Sequence, residues 1–108
     1  MNNQLKLMIK LNGLQYNVLR DPQVYRRCVK EPFRIQAVIG GAGTARCILT
    51  DAAGGQIAAQ TLGLPGTFAH DIAFDTPGTR IVTLKVESAG QSSASDLRLD
   101  VLEHAWVG

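Results

Sequence analysis

The chain has 108 residues, 45% apolar and 19% charged, a balance that argues against disorder and fits one globular domain spanning 1–108. A net charge of +2 is too small for a dedicated nucleic-acid binder, and no window approaches the ~20 apolar residues of a membrane helix. Met1-Asn-Asn-Gln-Leu-Lys-Leu-Met-Ile-Lys10 breaks its apolar runs with lysines and carries no export pattern. The expected location is the cytoplasm, or the periplasm or cell exterior had a signal been removed.

The charge is unevenly spread. Residues 1–46 carry eight Lys/Arg against two Asp/Glu, and residues 47–108 carry three against seven, giving +6 and −4. Such a chain either interleaves its halves in the fold or attracts an anionic partner or copies of itself.

The first element is a hairpin. Leu5, Leu7, Ile9 and Leu11 alternate with Lys6, Met8 and Lys10, and Leu14, Tyr16 and Val18 alternate with Gln15 and Asn17. Between them stands Asn12-Gly13, the preferred pair of a two-residue type I′ loop, where both positions need positive φ. The register this implies sets Leu11 against Leu14, Ile9 against Tyr16 and Leu7 against Val18, apolar with apolar each time.

Asp21-Pro22 ends the hairpin. Residues 21–32 have no clean period and read as a connection, with room for one helical turn around 23–28. A strand follows over 33–39. Gly40-Gly-Ala-Gly43 then reads as a flexible turn, not a phosphate loop, since no Gly-Lys-Ser/Thr follows it. The next strand is 44–50, with Ala45, Cys47 and Leu49 on one face. Asp51-Ala-Ala-Gly-Gly55 turns into 56–61, and Leu62-Gly-Leu-Pro-Gly66 turns again.

The region 68–102 shows the clearest alternation. Phe68, Ile72 and Phe74 share one side of a strand at 68–74. Val82, Leu84 and Val86 do so at 79–87, and Leu97, Leu99 and Val101 at 96–102. With turns at 75–78 and 89–93 these read as a three-stranded meander. The total is seven to eight strands and no long helix, which indicates an all-β, antiparallel sandwich.

Within that region, Asp75-Thr-Pro-Gly-Thr-Arg-Ile-Val-Thr-Leu-Lys-Val-Glu-Ser-Ala-Gly-Gln-Ser-Ser-Ala-Ser-Asp-Leu-Arg-Leu-Asp-Val101 resembles the last two strands of PKD-like and related bacterial immunoglobulin-like domains. Those families follow a Pro-Gly-Thr turn with a Val-Thr-Leu-x-Val strand, a small-residue turn and a final alternating strand. The match covers about a quarter of the chain. The Trp-x-Phe-Gly-Asp-Gly motif of PKD domains is not in this sequence, whose only Trp is Trp106. The resemblance implies an immunoglobulin-like sandwich, in a class of domains that bind, space or assemble.

Reactive side chains are few. Cys28, Cys47, His70 and His104 could form a Cys₂His₂ zinc set, but they show no Cys-x-x-Cys or His-x₃-His spacing, so neither metal nor cofactor is expected. His70, between Phe68 and Ile72, reads as a structural histidine. A Cys28–Cys47 disulfide is a further possibility, while catalysis through Cys28 lacks an adjacent base. Arg26, Arg27, Lys30 and Arg34 form a basic group that suits a solvated or intersubunit surface. Trp106 either caps the fold or anchors in a neighbour. Asp51 and Asp75 open turns by bonding their own backbone.

These features favour a non-catalytic structural or protein–protein interaction module that self-associates, with Arg26, Arg27, Lys30, Arg34 and Trp106 as its contact residues. The alternatives are a small-molecule or carbohydrate-binding module and a Cys/His metal protein. The expected partner is a protein or a second copy, without nucleic acid or membrane.

Overall fold

The computed structural model describes residues 6–17, 19 and 22–103. Seven strands are present among the described residues: β1 Leu7–Leu11, β2 Leu14–Gln15, β3 Arg27–Cys28, β4 Phe33–Thr50, β5 Gln56–Ile72, β6 Gly78–Ser88 and β7 Gln91–Leu102. A 3₁₀ turn covers Pro22–Tyr25, and no α-helix occurs among the described residues. The protein is all-β. The strands form a single sheet in the order β2-β1-β4-β6-β7-β3, with β5 on the other edge of β4. The sheet curls into a half-barrel. It is mixed rather than antiparallel throughout, because β3 runs parallel to β7, with Arg27 opposite Val101 and Cys28 opposite Leu102.

The first hairpin has the expected register. Asn12 and Gly13 take φ of 55° and 84°, Leu11 faces Leu14, and the Tyr16 amide donates to the Ile9 carbonyl at 2.8 Å. Val18, the last residue of that reading, lies outside the described residues. Asn12 does more than turn the chain. Its side chain accepts from the Arg34 amide and donates to the Tyr25 carbonyl, both at 2.9 Å.

The main departure from expectation lies in β4 and β5. Gly40–Gly43 does not end a strand, and 62–66 is not a turn. They face each other across one continuous ribbon made of an 18-residue and a 17-residue strand. Ile39 pairs with Gly66 and Gly43 with Leu64, so residues 40–42 bulge opposite Pro65. Gly41 and Gly43 take φ of 105° and 90°, which only glycine adopts without strain. Turn chemistry in both strands at one level therefore bends the ribbon instead of breaking it. At its far end Asp51 Oδ1 accepts from the Ala53 and Gly55 amides at 3.0 and 2.8 Å, as a turn-opening aspartate should.

The bend lets β4 serve two neighbours on one edge. Residues 35–39 pair with β1, and 46–50 pair with β6. The expected meander is thereby corrected. The stretch 68–72 pairs with β4, Phe68 opposite Ala37 and Ile72 opposite Phe33, and makes no ladder with β6. Alternation shows which side chains face inward but not which strand lies alongside. The crossing to β6 is pinned by Phe74, whose ring meets Phe33 edge-on at 6.0 Å and carries the Arg80 guanidinium at 5.1 Å. β6 and β7 are joined by only Ala89 and Gly90 (φ 50° and 79°), so β7 begins at Gln91 rather than after a longer loop.

Leu11, Phe33, Ile35, Ile39, Leu49, Phe68, Val82, Leu84, Leu97 and Leu99 all belong to one core cluster, whose largest member is Tyr25. No polar or charged residue is buried among the described residues.

Candidate functional site

The four basic residues sit on different segments: Arg26 and Arg27 at β3, Lys30 in the turn after it, and Arg34 on β4. Arg26 is exposed just before β3 and Arg27 is half-buried on it, its Nη1 donating to the Arg26 carbonyl at 2.9 Å. Lys30 is exposed in the following turn at φ 69°, its amide donating to the Phe74 carbonyl at 2.7 Å. Arg34 lies on the outer face of β4 and holds Asp71 of β5 through two contacts, Nε to Oδ1 at 3.0 Å and Nη2 to Oδ2 at 3.3 Å. That pair sets both groups. The hydrogen bond from Arg34 holds the Asp71 carboxyl below the ordinary aspartate value, and Asp71 raises the Arg34 guanidinium in return. Arg34 is committed to its cross-strand partner, so its charge is largely neutralised.

Of the Cys/His set, the three described members lie on three different strands, Cys28 on β3, Cys47 on β4 and His70 on β5. Cys47 is fully buried in the core, where desolvation pushes its thiol up. Cys28 is half-buried on β3, and burial followed by the nearby Glu31 carboxylate raises its thiol too. Glu31 Oε1 accepts from the Cys28 amide at 2.7 Å, which lowers the carboxyl. Both cysteines are free thiols, held in their protonated, unreactive form at neutral pH. His70 faces the core side of β5 opposite Ile35 and is half-buried. Among the described residues no three His, Cys, Asp or Glu side chains converge. His104 and Trp106 lie outside the described residues.

Hollows open on the surface among the described residues. One is bordered by Arg34, Gln36, His70 and Asp71, and another lies between β1–β2 and β7, against Met8, Tyr16, Ser93 and Asp96. The first has no serine, threonine or cysteine on its rim, and the second has no histidine or cysteine.

The feature that residue-by-residue reading missed is the open edge of β5. Among the described residues β5 pairs with β4 alone, so the backbone groups along its other side have no ladder partner. The edge runs from the hairpin tip at 51–55 past Pro65, which has no N–H to donate. A signal for it exists in the sequence: no Lys or Arg occurs between 47 and 79, and lysines are the usual guards of exposed strands. No protein-family model and no curated protein matches this chain.

Proposed function

We propose that this protein is a non-catalytic structural module that acts by assembling with another protein chain, and that its organisation is that of an immunoglobulin-like sandwich of the PKD-like type. The bent β4–β5 ribbon supports the sandwich reading, since it contributes strands to both halves of the sheet and their inward residues share one core. The open β5 edge carries the functional reading. A strand of 17 residues with one side unpaired among the described residues is a template for a further strand, and strand addition is a recurrent way for proteins to recognise one another. Light scattering on the full chain from micromolar to near-millimolar concentration tests this. The expected mass rises above that of the 11.6 kDa monomer as concentration increases. A monomer throughout the range overturns the self-associating form of the reading.

A further inference from the structure

The composition of the β5 edge indicates what can close it. The half before the bend, Gln56-Ile-Ala-Ala-Gln-Thr-Leu-Gly-Leu64, has no charged side chain. Elsewhere among the described residues the outermost strands, β2 and β3, are two residues each, and the side of β7 that β3 leaves without a ladder carries Asp96, Arg98 and Asp100. Short edges resist pairing, and a long neutral one invites it.

We propose that this half of β5 pairs antiparallel with the same half of a second copy, about a twofold axis through Gln60. This rests on the assembly reading above and names its partner. A twofold axis perpendicular to the sheet keeps each side chain on its own face, so residues of the same face must meet. Centring on Gln60 sets Ala58 against Leu62, Ala59 against Thr61, and Gln60 against its own counterpart. Ala58 and Leu62 are both half-buried while Gln60 is exposed, so at the centre of the pairing apolar meets apolar and amide meets amide, with Gln56–Leu64 and Ile57–Gly63 at its ends. On the outer face Arg46 borders Thr61 in one copy, and Ile48 borders Ala59 in the other. No like charges are therefore brought side by side. This self-matching order is what selects a second copy over a foreign strand. The pairing joins the β3-β7-β6-β4-β5 half of each copy into one continuous sheet. One such ladder is small beside the roughly 1,200–2,000 Å² of a stable interface, so the dimer is weak and concentration-dependent.

The test is a charge swap. Gln60→Lys places two ammonium groups face to face at the axis and should weaken dimerisation by roughly tenfold, as should Gln60→Glu. An equimolar mixture of the two should recover dimer at or above the wild-type level, read by light scattering with circular dichroism as the check on folding. A second measurement does not depend on those variants. In a Cys28→Ser background, Ala59→Cys mixed with Thr61→Cys should give the mixed disulfide in preference to either homodimeric one. A wild-type dimer that ignores Gln60→Lys, or that yields no 59–61 cross-link, overturns the β5 pairing and leaves assembly through another surface standing. A wild type that stays monomeric overturns the β5 pairing together with the self-associating form of the assembly reading.

Discussion

Arg34 and Asp71 show how much a single surface pair can carry. Their side chains are 61% and 46% exposed, and an exposed ion pair contributes little to stability. Its value is positional, because it ties β4 to β5 beyond the bend while the Arg34 amide is held by Asn12. The sign of its pH dependence follows from the lowered Asp71 carboxyl. A group whose folded value lies below its unfolded one stabilises the protein above the unfolded value and loses that contribution as pH falls through the folded value. An NMR titration of Asp71 should therefore show a midpoint below that of a free aspartate, and Arg34→Met should move it back up. An unchanged midpoint in that variant would show that the hydrogen bond is not its cause.

At the scale of the strand, the β4–β5 ribbon shows that glycine and proline mark where a chain bends without saying whether it stops. Gly40–Gly43 and 62–66 both carry turn chemistry, yet each lies inside a strand because the other lies directly across from it. Gly43, at φ 90°, is required by that geometry. Gly63, two positions before Pro65, has ordinary backbone and open space at its Cβ position. Gly43→Ala should cost about 1–2 kcal/mol in chemical denaturation, from strain in a region closed to L side chains. Gly63→Ala should stay within about 0.5 kcal/mol of wild type. Equal effects would mean that the bulge does not depend on glycine.

For the molecule as a whole, what matters is how a curled sheet is held at its two ends. Tyr25 and Tyr16 do this between β2 and β7. The Tyr25 hydroxyl donates to the Gln15 carbonyl at 2.8 Å and accepts from the Asn17 amide at 3.1 Å. Its ring packs 5.2 Å from that of Tyr16, whose hydroxyl accepts from the Arg98 amide of β7 at 3.1 Å. Tyr25→Phe keeps the ring and leaves one donor and one acceptor unmet. It should destabilise the protein by about 1–3 kcal/mol in urea unfolding. A change within error would place the closure in ring packing alone.

The all-β class, the Asn12-Gly13 hairpin register and the inward faces of β6 and β7 could all be read from residue order, because each depends on neighbours two to four positions apart. The union of strands across Gly40–Gly43, the pairing of 68–72 with β4, the parallel β3 and the scattering of Cys28, Cys47 and His70 could not. Each depends on which distant strand lies alongside, a choice made by packing one shared core rather than by local pattern. The open side of β5 belongs to both kinds: its missing lysines are visible in the chain, but only the assembled sheet shows that β4 is its one neighbour among the described residues.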